Sequence, residues 1–310
     1  MKSNLLTFCI PTYNRSEILE EGILDLISKI GKYNFQIIVT DNSSIDNTEQ
    51  VVNNLQTEYN FITYLKNEIN LGADENFAIS LKASKSKFTW LLGDSYRLIE
   101  SELEPLLSIL DNNNYDLVLV NSFNMINQID TREYDDADEI IKDLGWYLPQ
   151  MSAYIYNKTI ISKANFKKFY NTNFLQMGIS FDNFKANDTK VFWYSKNSVA
   201  RTTQKKDSWH NEFLKVFARN WTEFILSLPL EITLKSKLQC IKMHGKKHKI
   251  FSVLNLVNYR EKGWFNSQLL KQYDLYIPFT AMPIFPVAYL ISKIPIKFLS
   301  MIKKLLNKQI

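Results

Sequence analysis

The chain has 310 residues and a net charge of +5, with 45% hydrophobic and 14% aromatic residues. A chain of this length buries about 75% of the surface its unfolded form exposes, so intrinsic disorder is excluded. Two cysteines, Cys9 and Cys240, exclude a disulfide scaffold and a cysteine-rich zinc site and suggest a reducing cytoplasm.

The charge is unevenly spread. Residues 1–150 hold 11 Lys and Arg against 24 Asp and Glu, a balance of −13, which leaves 26 against 8, or +18, for the rest. An acidic head and a basic tail suit an anionic partner: membrane, phosphate or nucleic acid. The opening MKSNLLTFCIPTYNR lacks the apolar core and cleavage site of a secretory signal, so no export is expected.

In chain order, LLTFCI is an apolar run of strand length that Pro11 ends. Asn14 with Glu17 then has the spacing of a capping box opening a helix through ILEEGILDLISKI. FQIIVT predicts a second buried strand, and Asp46 with Glu49 caps a helix through VVNNL. FITYLKN predicts a third strand, NLG a turn into the ADENFAISLKAS helix, and FTWLLG a fourth strand. Ser101 with Glu104 caps ELEPLLSIL before the strand YDLVLVN. This alternation predicts an α/β fold with a mostly parallel sheet, helices on both faces and right-handed crossovers. Past residue 122 the pattern loosens through the acidic DDADE and the aromatic GWYLPQ to a strand at SAYIYN. From Trp209 the chain reads helical and basic, with Lys235, Lys237, Lys242, Lys246, Lys247 and Lys249. The expected domains are 1–205 and a helical, basic 206–310.

Ligands of such sheets bind beyond the carboxyl ends of the strands. Three polar segments stand there: PTYNR (11–15), DNSSIDN (41–47) and GDS (93–95). In this order they resemble family 2 glycosyltransferases of the GT-A fold, a Rossmann-like nucleotide-binding architecture. The resemblance covers residues 4–125, with NLGADENF (70–77) and WLLGD similar to the bacterial branch that builds capsule and O-antigen polysaccharides. It implies that Pro11, Thr12, Tyr13, Arg15, Asn70, Gly72 and Asp94 bind the nucleotide donor and that Asp41 accepts a hydrogen bond from its base. A carboxylate accepts from the N–H edge of a uracil, and the Tyr13 ring offers a stacking face. Taken singly, PTYNR reads as a turn and cap, and Asp41 as an Asx-turn residue.

Against the acidic D-x-D of that family, WLLGDSYRL puts Gly93 at the first acidic position, Asp94 in the middle and Ser95 at the second. The family's Mg²⁺ or Mn²⁺ bridges the donor diphosphate from these carboxylates. Here Asp94 either holds the metal alone or caps its loop while Lys or Arg neutralises the leaving group. An inverting transferase also needs a general base near a helix of the second half. In NTNFLQMGISFDNFKAND, Gln176 occupies the acidic position, which leaves Asp182 as the nearest carboxylate and Asp188 as the next.

His244 and His248 share i,i+4 spacing but lack a third ligand, and read as part of a basic, solvated face. The DSWH segment (207–210) resembles a feature of related transferases in which the Trp packs below the acceptor, with His210 beside it. From 275 to 292 no charge occurs in LYIPFTAMPIFPVAYLIS, and lysines follow; Pro278, Pro283 and Pro286 argue against a spanning helix and for an interfacial anchor over 275–310. The expected protein is a peripheral enzyme at the cytoplasmic face of the membrane. It moves a sugar, from a UDP-sugar first of all, to a lipid-linked saccharide, with inversion. The rivals are a non-catalytic, transferase-like nucleotide-binding subunit and a sugar-phosphate nucleotidyltransferase, which calls for a glycine-rich loop that PTYNR lacks. Nucleic acid is disfavoured because no reading motif accompanies the basic tail.

Overall fold

An uninterrupted apolar run is stable as a strand only where both faces are covered, and all seven residues of the first strand, β1 (Leu6–Thr12), are buried. The computed structural model describes residues 4–33, 35–202, 210–283 and 285–299. After β1 come α1 (Ser16–Ile30), β2 (Gln36–Asp41), α2 (Thr48–Glu58), β3 (Ile62–Lys66), α3 (Ala73–Ala83) and β4 (Phe88–Leu91). They are followed by β5 (Tyr96–Leu98), α4 (Leu103–Asn112), β6 (Leu117–Ser122), β7 (Arg132–Tyr134), α5 (Ala137–Leu144) and β8 (Tyr154–Asn157). Next are α6 (Lys158–Lys163), α7 (Leu175–Phe181) and β9 (Val191–Arg201), and then α8 (Trp221–Ser227), α9 (Leu234–Lys247), α10 (Val253–Glu261), α11 (Ser267–Gln272) and α12 (Phe285–Lys293).

The strands form one sheet in the order β3-β2-β1-β4-β8-β6-β9-β5, with β7 also on β9. The β1–β4 half is parallel, as the alternation predicts. The other half is mixed, because β8 runs against both β4 and β6, and β5 and β7 run against β9. The expected parallel pairing holds throughout the first half and between β6 and β9 in the second. An apolar run encodes burial, not direction, so SAYIYN was legible as a strand while its reversal was not. Pro11 also sits inside β1 rather than ending it; its partner is Thr40, one residue from the strand end.

Helices cover both faces. Leu19, Ile23, Leu26 and Ile30 of α1 and Leu103, Leu106, Leu107 and Leu110 of α4 recur at three- and four-residue spacing, and they pack with Phe8, Ile37, Val39 and Trp90 in one core. On the other face α3 lies over β1, where the Cys9 thiol donates to the Ser80 carbonyl at 3.1 Å. Burial pushes that thiol up to about 12, which makes it inert.

The chain divides into two compact units: Met1–Ile140 with Tyr147–Lys205, and Ile141–Trp146 with Lys206–Ile310. The second is helical with its own core, including Trp221, Ile225, Cys240, Ile241, Phe251 and Leu256. His244 belongs to that core rather than to a solvated face: it is 3% exposed, and a ring nitrogen bonds the Trp146 carbonyl at 2.8 Å. Burial, with His248 adjacent, drives its pKa down to about 3. Lys237 is also buried, its ammonium donating to the Leu228 carbonyl at 2.6 Å beyond the end of α8. Trp209 and the rest of DSWH before His210 lie outside the described residues, as do 300–310 of the tail. No described helix is long and apolar enough to cross a membrane.

Candidate functional site

Parallel strands that all end on one side deliver their following loops to one edge, and the loops after β1, β2, β3 and β4 meet there. The Thr12 hydroxyl donates to Asp94 Oδ2 at 3.1 Å, and the Arg15 guanidinium donates to Asp94 Oδ1 at 2.9 Å. Thr12 and Arg15 thus meet Asp94, some 80 residues on, in one partly buried cluster in which Asp94 is 7% exposed. Tyr13, beside them, is 44% exposed and presents its ring to solvent.

The loop after β2 is held just as firmly. Asp41 is fully buried, and its two oxygens accept from the Ser44 amide at 2.8 Å and the Tyr64 hydroxyl at 2.6 Å. The strand-end carboxylate expected to face the base is therefore engaged inside the protein; burial together with this bond raises the Tyr64 pKa. Asn42 is the hub of the next turn. Its Nδ2 donates to Asn70 Oδ1 and the Gly72 carbonyl, while its Oδ1 accepts from the Leu71 amide and Asn67 Nδ2. Gly72 has φ of +84°, a conformation that a side chain disfavours, and it opens α3. Asn76 of α3 donates to the Thr40 carbonyl at 3.0 Å, which fixes the helix to the end of β2.

Asn14 and Asp46 do not close the capping boxes their spacing suggests. The Asn14 side chain accepts from the Ile45 amide at 2.8 Å, and Asp46 accepts from the amides of both Ser16 and Thr48, at 2.9 and 3.1 Å. One carboxylate thus covers the first amides of α1 and α2 and ties the two loops together.

Asp74 was not singled out from the sequence, although an acid in the first turn of a helix was its signal. It is 5% exposed and accepts from the Asn173 amide at 2.8 Å and the Leu175 amide at 3.4 Å, joining the amino ends of α3 and α7. Burial pushes its carboxyl up to about 6 against those bonds. Beside it on α7, Gln176 is 2% exposed; its Nε2 donates to the Pro149 carbonyl at 2.9 Å and its Oε1 has no partner among the described residues.

Pro11, Thr12, Tyr13, Arg15, Asp41, Asn70, Gly72 and Asp94 are thus brought to one edge. Asp182 and Asp188 are not among them. Asp182 is paired with Lys168 at 2.6 Å. Its neighbour Asn183 lines a small cavity with Asp116, Thr159 and Thr189, at the amino ends of β6 and β9. Asp188 closes a turn onto the Lys185 carbonyl three residues before β9 begins. A six-residue strand such as β6 is about 20 Å long, whereas proton transfer needs an approach of about 3 Å.

The loop after β4 shows why a full acidic triplet is missing. A Cβ on Gly93 would lie 2.7 Å from the Tyr96 ring, so that ring fills the space of a first carboxylate. Among the described residues no group of three or more His, Cys, Asp or Glu could hold a metal. The donor set fits a divalent cation only through Asp94 as a single carboxylate, with the neutral Ser95 hydroxyl beside it and the other ligands drawn from phosphate and water.

Residues 7–192 match the family described as glycosyl transferase family 2. Among curated proteins, the abequosyltransferase RfbV of Salmonella typhimurium is 40% identical over 110 residues, 34% of this chain and 33% of that protein. The GalNAc(5)-diNAcBac-PP-undecaprenol beta-1,3-glucosyltransferase of Campylobacter jejuni is 32% identical over 103 residues, 33% of each. The chain thus spans about a third of the length of these relatives. Among solved structures, Staphylococcus aureus TarS 1–349 with UDP-GlcNAc superposes with a TM-score of 0.58 at 15% identity, over 98% of this chain and 92% of that one. Mannosyltransferase PcManGT from Pyrobaculum calidifontis, with GDP-Man and Mn²⁺, gives 0.53 at 12% identity over 98% and 87%. At such identities these two share the GT-A fold with this chain.

Proposed function

The chain belongs to glycosyl transferase family 2, and from that membership we propose that it transfers a sugar from a nucleotide-sugar donor to a lipid-linked saccharide in the assembly of a bacterial surface polysaccharide. The observation that carries this reading is the partly buried Thr12–Arg15–Asp94 cluster at the carboxyl ends of β1 and β4. It sets a cation and a carboxylate where doubly wound sheets bind their ligands. The diphosphate lies against Arg15, whose guanidinium neutralises charge as the sugar departs. The exposed Tyr13 ring stacks on the base. Buried Asp41 acts by holding the 42–47 loop, and Asn70 and Gly72 form the opposite wall.

A UDP-sugar is the first donor to try, since TarS was solved with UDP-GlcNAc. The acceptor class follows the undecaprenol-linked substrate in the name of the Campylobacter relative. Peripheral contact with the cytoplasmic face of the membrane, through the lysine-flanked apolar stretch from 275, brings the enzyme to such an acceptor. A divalent cation held by Asp94 supplies further neutralisation of the diphosphate when bound.

A second reading draws on Gln176, a buried amide at the position where the family resemblance calls for an acid, and on the distance of Asp182 and Asp188 from the strand carboxyl ends. It makes the chain a non-catalytic nucleotide-binding subunit. Thermal-shift measurements with UDP, GDP, CDP and dTDP sugars, with and without Mn²⁺, are expected to show stabilisation by one nucleotide. Transfer of labelled sugar to a lipid-diphosphate saccharide then follows. Stabilisation by none of the donors overturns the proposal, and binding without transfer or hydrolysis selects the second reading.

A further inference from the structure

A groove of about 720 Å³ lies within the helical unit, between α9 and the stretch that leads into α12. Met243, Ile277, Met282 and Phe285 line it, with Lys242 and Lys246 from successive turns of α9. Both lysines are exposed, and neither forms an ion pair among the described residues. Asp274 is the single acid of the lining, so two cations face one anion.

The stretch 277–283 offers few amide donors to a ligand. Pro278 and Pro283 have no amide hydrogen, the Thr280 hydroxyl donates to the Ile277 carbonyl at 2.9 Å, and the Met282 amide donates to that hydroxyl at 3.2 Å. A groove with apolar walls and a pair of unpaired ammonium groups is complementary to an apolar chain that ends in a phosphate. Surface chemistry of the same kind continues from it. Phe285 stacks on Tyr289 at 6.0 Å, and Lys293 lies 4.6 Å over the Tyr289 ring, so these i,i+4 neighbours carry an aromatic and cationic stripe along α12. Leu275 and Leu290 nearby in sequence are 71% and 67% exposed. Exposed leucine, aromatic rings and lysine together are the composition of a surface that meets lipid headgroups.

We propose that this groove binds the chains of an individual anionic phospholipid, with Lys242 and Lys246 on its phosphate. The proposal rests on the peripheral membrane contact inferred above and locates it at a defined site.

The test titrates the full chain with submicellar dihexanoyl phosphatidylglycerol by calorimetry, beside dihexanoyl phosphatidylcholine and inorganic phosphate. The same titrations are run on Lys242→Gln/Lys246→Gln, which alters exposed side chains only, and on Met243→Trp, which fills the groove and keeps the charge. Saturable binding of the phosphatidylglycerol is expected, at least 10-fold weaker in the lysine variant and lost in Met243→Trp, with donor-nucleotide binding unchanged in both. Equal affinity for phosphatidylcholine or inorganic phosphate, or an unchanged affinity in the lysine variant, overturns the proposal. So does a dimer that Met243→Trp converts to monomer, which gives the groove to a second copy of the chain. Flotation with phosphatidylglycerol vesicles separates the two levels: vesicle binding that survives in both variants removes the groove but keeps the membrane contact. A wild-type chain that fails to float removes both.

Discussion

Asp41 shows what burial does to a residue that reads as a binding group. An exposed carboxylate can be removed without harm to the fold, but this one satisfies the Ser44 amide and the Tyr64 hydroxyl. Asp41→Ala leaves both donors without an acceptor, at roughly 1–3 kcal/mol each. Urea denaturation should therefore show a loss of about 2–4 kcal/mol, and Tyr64→Phe about 1 kcal/mol. An Asp41→Ala protein of wild-type stability would contradict the bonding described. The loop after β4 makes a second residue-level prediction. Ser95→Asp adds a carboxylate beside Asp94, so metal titration of donor binding should show a steeper Mg²⁺ or Mn²⁺ dependence than the parent. Gly93→Asp, by contrast, should lose stability because its Cβ meets the Tyr96 ring. Identical metal dependence in Ser95→Asp and the parent would place Ser95 outside any ligand position.

Between elements, single side chains do the work that the local pattern assigns to each helix separately. Asp46 accepts from the first amides of α1 and α2. Burial opposes its charge, but the hydrogen bonds from Thr48 and Ser16 outweigh it and lower its pKa. Its contribution is thus present above the ordinary carboxylate pKa and lost on acidification below it. Asp46→Ala should cost about 1–2 kcal/mol near neutral pH and little in acid, with exchange protection falling in the first turns of both helices together. Protection lost from α2 alone would refute the shared cap. Asp74 has the opposite sign. Its carboxyl is raised to about 6, so the folded state takes up a proton before the unfolded chain does. The stability tied to it is full below about pH 4 and falls as pH rises through 6, by about 3 kcal/mol at most. The wild type should lose ground against Asp74→Asn between pH 4.5 and 7.5, and a constant difference in denaturation midpoints would show that the group is not perturbed.

At the scale of the whole molecule, the tail is more than an appendage. Ile277, Ala288, Ile291 and Leu299 are buried, and the Arg260 guanidinium donates to the Ile294 carbonyl at 3.2 Å, so one face of the tail packs into the helical unit while Leu275 and Leu290 stay exposed. Deleting 275–310 should therefore lower the thermal transition of that unit, while the sheet, with its own core, keeps its transition and its nucleotide binding. Calorimetry that finds the helical transition unmoved by the deletion would separate the segment from the core. Sequence alone determined the β1–β4 half of the fold and the residues at its strand ends, because apolar runs, turns and helix periods are local and parallel strands must end their loops together. It determined the charge asymmetry as well. What it left open needed distant contacts. The reversal of β8, the strand β9 that no local turn announces, the shared cap at Asp46 and the burial of Asp41 and His244 all depend on partners at least 20 residues away in the chain. Asp182 stands apart from the strand-end cluster for the same reason. Its proximity in sequence to Gln176 says nothing of direction, and only the path of α7, from the amino end of α3 down toward the start of β9, decides which end of the sheet each residue serves.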